Sequence, residues 1–561
     1  MHIILKLTKW GDQIMGIQNL IDAATPGSTV DVQPGVYNEQ LVIDKALILQ
    51  GPSPGGGAAI IDATGLNNIS AIQILSDDVT VSRLTIQNGS LHGIQAGNAS
   101  YPNLSDITIS DNHIKGHANA GILTNSGASM IIKNNIIENN GLGAGFNRNG
   151  IVLYPHGTTD IINNTIVNNA VDGIFARASS SGLRIENNEI KGQANSGISL
   201  AWDQRNTSII NNKIKDCGTG NFDEEGGIVI IQSMAEVIQG NTIENCKQSG
   251  IFWGWVPTTG SSPTEILISD NEIKNSSRDA IYLFSQGTDG PISPDLFPLE
   301  PKIIGNNLRD NGRAGVYISN AYYYGPGNAN PTINENQIVG NAWGVFNATA
   351  QVVDATNNWW GSSSGPSQPL LNPQGKGDQV SDNVDFTPWQ TKAPTIEIIG
   401  CFVRNVSLES FNILSSIGET SRIVSIFKVV GDITIDINGN LIVKNFEISF
   451  AKSLAMKVPK TITVTPAITA TSECYADLND NAIQISVDLC IVISILGKCT
   501  LAVPTLDTCL IPRKANSLNV KKDLSEIKHC KEETNSIECV NAEKVFDFYQ
   551  FNKIVTHSID I

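Results

Sequence analysis

Charge is scarce in this chain, and what there is leans one way. Only 16% of the residues are charged, and 54 Asp and Glu against 37 Lys and Arg leave a formal net charge of −17. Nucleic acids and anionic membranes are recognised by a basic footprint, so this balance argues against both as partners. It also disfavours a densely anionic polymer unless a divalent cation bridges the two. No long hydrophobic run is present: the longest, "LCIVISILGKCTLAV", is broken by Lys498 and falls short of the roughly 20 residues that span a bilayer. The start, "MHIILKLTKWGDQIMGIQ", lacks the apolar segment and small-residue cleavage site of a secretory leader. Export by the usual route is therefore not expected unless the reading frame lacks its leader, and Met15 is a candidate start. No CxxC or Cys/His metal spacing occurs. Of the nine cysteines, Cys217 and Cys246 stand apart from the group that begins at Cys401. Their odd total leaves free thiols, intermolecular disulfides and buried reduced cysteines all open.

Glycine and asparagine are abundant instead, and they recur in phase. From about residue 104 a unit repeats: a short apolar strand, Asn-x-apolar, a polar bend, then Gly-apolar and another strand. The asparagine falls at Asn112, Asn135, Asn164, Asn188, Asn212, Asn241, Asn271, Asn306, Asn336 and Asn358, at intervals of 22 to 35 residues. Glycine falls between them at Gly93, Gly121, Gly150, Gly173, Gly197, Gly227, Gly250, Gly315 and Gly344, with Ala280 standing in once. Such a period is that of a solenoid, and the segments are too short and too β-branched for helices. Coils stacked about 4.8 Å apart would pair parallel strands, with the asparagines forming a structural ladder at one bend.

This pattern resembles the right-handed parallel β-helix proteins, the class of pectate lyases, polysaccharide epimerases and periplasmic carbohydrate-binding proteins. The opening "IQNLIDAATPGSTVDVQPGVYNEQLVIDKALILQGP" is similar to that class's capping helix and first coil, and "DATNNWWGSSSGPSQP" with "VSDNVDFTPWQ" to its closing coil. The resemblance covers residues 15–392. It implies an all-β fold, a right-handed parallel β-helix followed by a smaller domain, and leaves the activity open, because one scaffold hosts many activities.

Residues just after each Gly-apolar strand should stack on one lateral face. Down the coils these are Tyr154 and His156, Arg177, Trp202, Asp203 and Arg205, Gln232 and Met234, Trp253 and Trp255, Phe284 and Asp289, and Tyr322, Tyr323 and Tyr324. Aromatics beside Asp, Arg and Gln suit a glycan, whose C–H faces pack on rings and whose hydroxyls accept and donate hydrogen bonds; packing under long loops is the alternative. "LYPHG" also resembles the strand end of mannuronan C5-epimerases, which read Asp-Pro-His. The resemblance implies proton transfer at His156, with Arg177 neutralising a uronate carboxylate, but the aspartate is replaced by Tyr154, which could itself serve as the acid. Glycosidase chemistry needs clustered carboxylates, and the dense acidic spots, Asp77-Asp78 and Asp223-Glu224-Glu225, read as turns. Calcium at the second is conceivable but unassigned, and no other cofactor is expected.

Past "PWQTKAPTIEI" the asparagine repeat ends. Residues 393–515 alternate with period two between turn signals, as in an antiparallel β-sandwich. Residues 516–561 read as a charged, partly helical tail holding Cys530 and Cys539. Residues 1–14 would be an extension. The C-terminal part faintly resembles β domains of Gram-positive spore-associated proteins. Two functions follow: a surface or spore-coat protein presenting an aromatic, glycan-binding face to polysaccharide or envelope components, with C-terminal cysteines free to cross-link, or a lyase or C5-epimerase acting on a uronic-acid polymer.

Overall fold

The computed structural model describes residues 16–560 except 126, 146, 179–181, 223, 255–265, 285–298, 320–328, 394–395, 418–419, 438–439, 458–463, 480–481 and 505–536. The chain divides into two units, Met1–Pro394 and Thr395–Ile561.

In the first unit each coil up to Gln337–Val339 contributes one strand to each of three parallel sheets, and the closing turns extend two of them. Sheet one has 14 strands, from Ser28–Asp31 to Val384–Asp385; sheet two has 12, from Gly35–Tyr37 to Gln337–Val339; sheet three has 14, from Leu41–Ile43 through Gly377–Val380 to Pro366–Ser367 at its edge. Registers are in phase, so like residues stack. In sheet one Ile109, Ile132, Ile161, Ile185 and Ile209 follow one another across the ladder. Ile114, Ile137, Ile166, Ile190 and Ile214 do so in sheet two, and Ile122, Ile151, Ile174 and Ile198 in sheet three. All are buried, and together they form one continuous core. Each such side chain is worth roughly 1.5–3 kcal/mol of burial, realised only when the next coil covers it.

The corners explain the Asn-Asn pairs. Between sheets one and two, the first residue of each pair takes a left-handed conformation, as at Asn134 (φ 57°), Asn163 (58°), Asn187 (55°) and Asn211 (55°). Only Gly, Asn and Asp adopt that region readily. The second residue turns inward as a ladder rung. Glycine has a different reason at the next corner: a Cβ on Gly173 would lie 2.6 Å from the Gly197 carbonyl oxygen and 2.8 Å from Ile190 Cγ2. The helix Ile17–Ala23 packs Ile17, Leu20 and Ile21 into the same core as the first coil. Its N-terminus is held by Glu39, whose carboxylate accepts from Ile17 N (2.6 Å) and Gln18 N (3.1 Å), as the helix dipole favours.

The second unit holds the expected antiparallel β structure, as two three-stranded meanders. Ile396–Ile417, Thr420–Ile437 and Asn440–Lys457 form one; Val464–Asn479, Ala482–Pro504 and Ile537–Asp560 form the other. Phe427, Val429, Ile433 and Ile435 alternate inward on the central strand of the first, with Ile485 and Val487 buried on that of the second. A disulfide, Cys401–Cys474, joins the first strands of the two meanders. The partly helical tail is corrected in its second half: Ile537–Asp560 is a strand, because it pairs along Ala482–Pro504. Its first half lies outside the described residues.

Candidate functional site

Strand alternation decides what sheet three shows to its exterior. Ile174 and Ala176 point into the core, whereas Phe175 and Arg177 on the same strand are only half-buried. Tyr154 ends the strand of the coil before, and Trp202 follows the strand of the coil after. These side chains form one cluster. The Phe175 ring meets Tyr154 edge-on at 5.7 Å and Trp202 edge-on at 5.9 Å. The Arg177 guanidinium lies 4.1 Å from the Tyr154 ring centre and 4.9 Å from that of Trp202, so it is held between two aromatic faces. The Tyr154 hydroxyl donates to Asn147 Oδ1.

Trp202 is 51% exposed and Asp203 beside it is exposed too, both in left-handed conformations (φ 48° and 70°) that swing the chain outward at the corner. Asp203 is engaged by Arg205 at 2.6 Å. Burial raises the pKa of Tyr154, with Arg177 opposing and Asp172 adding to the rise. Asp172, overlooked in the sequence, lies buried beneath this face. Its carboxylate accepts from Asn195 Nδ2 (2.8 Å) and Ser196 N (3.0 Å), yet burial pushes it up to about 6.

Two expected contacts are corrected. His156 does not present its ring to this face: it is 3% exposed, with Nδ1 2.6 Å from the Gly157 carbonyl oxygen and Nε2 3.0 Å from Gln204 Oε1. Gln204 is itself buried and donates to the Arg205 carbonyl and to Thr207, so the imidazole is part of a strut at the corner between sheets three and one. Burial lowers its pKa. Trp253 points inward and is fully buried, because Phe252, the residue before it, takes the outward position. Met234 is buried as well, Gln232 and Phe284 are half-buried, and Trp255, Asp289, Tyr322, Tyr323 and Tyr324 lie outside the described residues.

Alternation also creates an outward column that the sequence reading missed. Phe252, Tyr282, Tyr317 and Phe346 are consecutive partners across sheet three. Phe252 meets Tyr282 edge-on at 5.1 Å, and Tyr317 stacks on Phe346 at 5.2 Å. Arg313 lies 3.6 Å over Tyr317 while donating twice to Asp279, whose carboxyl burial raises and Arg313 partly restores. Phe252 and Tyr282 are buried, so this column is packed. Its signal was an aromatic directly after each inward aliphatic residue, Ile251, Ile281, Val316 and Val345.

The acidic turns are structural. Asp77 Oδ1 accepts from Ser105 N (2.6 Å) of the following coil. Glu225 is buried and takes Thr219 N, Thr219 Oγ1 and Gly220 N at 2.6–2.7 Å, while Asp223 lies outside the described residues. Among the described residues no group of three His, Cys, Asp or Glu is placed to hold a metal ion, and no helix is long and apolar enough to cross a membrane.

Residues 55–190 and 149–293 match the model of the right handed beta helix region. The uncharacterized protein YclG of Bacillus subtilis (strain 168) is 25% identical over 196 residues, which span 33% of this chain and 31% of that one. Among solved structures, the A-module of the mannuronan C-5 epimerase AlgE4 from Azotobacter vinelandii is similar at 16% identity and TM-score 0.44, covering 59% of this chain and 92% of that one. The Dettilon tailspike protein is similar at 12% identity and TM-score 0.38, covering 85% and 84%. The catalytic unit of an α-1,3-glucanase from Streptomyces thermodiastaticus strain HF3-3 is similar at 16% and 0.39, covering 69% and 68%. The three in-register parallel sheets, together with the family match inside them, make the first unit of this chain a right-handed parallel β-helix.

Proposed function

We propose that the exterior of sheet three around Trp202 binds carbohydrate, and that the β-helix serves there as a rigid, non-catalytic platform. The observation that carries this reading is the 51% exposure of Trp202 in an ordered setting, against Phe175 and the Arg177 guanidinium. A large aromatic left in water is costly, and a supported ring offers a flat face to the C–H side of a sugar at little further entropy cost. Tyr154, Arg177 and Asp203 supply polar groups around it. The placement in a cell or spore surface, with residues 393–561 as anchor, belongs to the same proposal. The Cys401–Cys474 disulfide supports it, since such bonds persist outside reducing compartments. Lyase or epimerase chemistry at His156 is less well served, because proton transfer needs an imidazole that a sugar ring can reach.

Calorimetric titration with a panel of neutral and acidic oligosaccharides tests the proposal. Binding of at least one, lost in Trp202→Ala and kept in His156→Gln, is the expected result. Absence of any binding, binding indifferent to Trp202, or C5 proton exchange or unsaturated products abolished by His156→Gln would overturn it.

A further inference from the structure

Independently of carbohydrate binding, we infer that Cys217 and Cys246 form a site for one soft, two-coordinate metal ion in the interior of the β-helix. The two thiols are successive rungs of the file at the corner between sheets two and three, and both are fully buried. Before them the file holds Asn140, Asn169 and Gln193, each amide oxygen accepting from the backbone N–H of the rung before it. After Ser276 the pattern resumes with Asn311 and Asn341. Register makes Cys217, Cys246 and Ser276 equivalent, since Lys215, Glu244 and Lys274, two residues before each, are consecutive partners in sheet two. Their tips also occupy the same place in each coil. A Cβ added to Gly197, Gly227 and Gly250 would lie 3.6, 3.3 and 3.4 Å from Cys217 Sγ, Cys246 Sγ and Ser276 Oγ.

Spacing decides what such a pair can hold. Like atoms on adjacent parallel strands stand about 4.8 Å apart, so a point midway between the two sulfurs is about 2.4 Å from each. A thiolate–metal bond is about 2.3 Å. A disulfide would need the sulfurs drawn to about 2.05 Å and the Cβ atoms to about 3.8 Å, which pulls two coils together against the rest of the stack. An ion bridges the sulfurs where they stand. Among the described residues no third His, Cys, Asp or Glu is placed to complete a larger ligand set. Two sulfurs on one axis therefore suit an ion that accepts linear coordination, such as Cu(I), Ag(I) or Hg(II), and thiolates select soft ions of this kind.

Charge fits as well. One thiolate and one thiol around a monovalent ion, or two thiolates around a divalent one, give a neutral complex, which an apolar core tolerates. The ion displaces one thiol proton in the first case and two in the second. Backbone N–H groups already face the sulfurs, from Gln193 at Cys217 and from Cys217 at Cys246. Ser276 Oγ is buried and has no hydrogen-bond partner among the described residues; a thiolate on Cys246, the neighbouring rung, supplies the acceptor it lacks. Asp172 and Asp216 oppose a bare thiolate at Cys217, so its proton leaves as the cation arrives. Neither sulfur can be reached from solvent, and the ion enters as the chain folds, before the corner closes.

The test uses the full chain, alkylated in the native state so that accessible thiols are blocked. It is refolded from urea with Ag(I) or Hg(II) and desalted against a thioether competitor. Retention of one ion per chain is expected, with a higher unfolding midpoint, because an ion that binds only the folded coils stabilises them. Cys217→Ser and Cys246→Ser should each lower retention roughly tenfold or more, since one thiolate holds the ion far less tightly than two. Ser276→Ala should keep it. Circular dichroism of the metal-free variants separates loss of the site from loss of fold. X-ray absorption of the loaded parent tests the geometry without any variant, and two sulfur neighbours at about 2.3 Å are expected. No retention by the parent, retention unchanged in either cysteine variant, or oxygen or further sulfur neighbours around the ion would overturn the inference. So would a metal-free parent two hydrogens lighter, its two thiols joined as a disulfide.

Discussion

The side-chain oxygen of Asn188 accepts two hydrogen bonds from Asn164, one from its backbone N–H at 2.9 Å and one from its Nδ2 at 3.0 Å. Asn188 in turn donates through Nδ2 to the carbonyls of Ile161 and Glu186 and to Asn212 Oδ1. Every buried polar atom of the rung is used, and each rung completes its neighbours. Asn188→Asp keeps the acceptor but removes the donor and sets a buried carboxylate against those oxygens. A loss of at least about 1–3 kcal/mol is expected in urea denaturation followed by circular dichroism. A neutral substitution there and at Asn212 would show that the rungs add nothing to stability.

Two tryptophans should fail differently. Trp253→Ala opens a cavity in the core and should cost about 3–5 kcal/mol of stability, as large-to-small core changes do. Trp202→Ala should leave stability within about 0.5 kcal/mol, the usual range for surface positions, and abolish oligosaccharide binding. Denaturation and titration of both variants together decide the assignment; exchanged phenotypes would mean that the inward and outward positions are reversed.

Acid should loosen the early coils. His117 Nδ1 accepts from Gly89 N (2.9 Å) and its Nε2 contacts the Ile86 carbonyl (3.0 Å), and His92 Nδ1 accepts from Ala120 N (3.2 Å). Burial lowers both to about 4, so the unfolded chain takes up protons that the folded chain refuses. Stability from these groups is intact above pH 6.5 and falls as pH drops toward 4, by roughly 2 kcal/mol per imidazole between pH 6.5 and 5. Asp172, raised to about 6, has the opposite sign: its burial costs stability as pH rises from 3.8 through 6. Denaturation midpoints from pH 4 to 8 should therefore change slope in His117→Gln, and Asp172→Asn should gain relative stability above pH 6. Identical profiles for variants and parent would refute the assignment.

Cys217 and Cys246 are fully buried, and burial pushes the Cys217 thiol up to about 12 and raises that of Cys246 well above the ordinary thiol range. Alkylation requires the thiolate and access to it. At pH 8 both should stay unmodified by iodoacetamide in the folded protein and react on denaturation, as peptide mass spectrometry would show. Rapid labelling of either in the native state would place it at the surface.

Much of the architecture was legible because it is local and repeated. Asn134-Asn135 and Asn187-Asn188 announce a left-handed residue followed by an inward amide, and that grammar needs no knowledge of distant contacts. The ladder at the following corner was harder to read, although each rung there also follows a left-handed residue, such as Asn139, Asn168 or Gly192. Its rungs change chemistry from His117 to Asn140, Asn169 and Gln193, and only the shared hydrogen bonds show that they are equivalent. The inward turn of Trp253 was present in the spacing. It stands three residues after Gly250, whereas Tyr154 and Arg177 stand four after Gly150 and Gly173, so alternation sends it to the core.

By itself the sequence determined the coil: where it bends, which isoleucines face in, and how far apart the strands stack, since each depends on backbone conformation within a few residues. Tertiary structure decided the site. Arg177 sits between rings because Tyr154 comes from one neighbouring coil and Trp202 from the other. His156 is buried because Gln204, 48 residues on, folds against it. Those relationships depend on register between coils, which alternation permits but does not specify, and on corner dihedrals such as that of Trp202 that no local pattern announces.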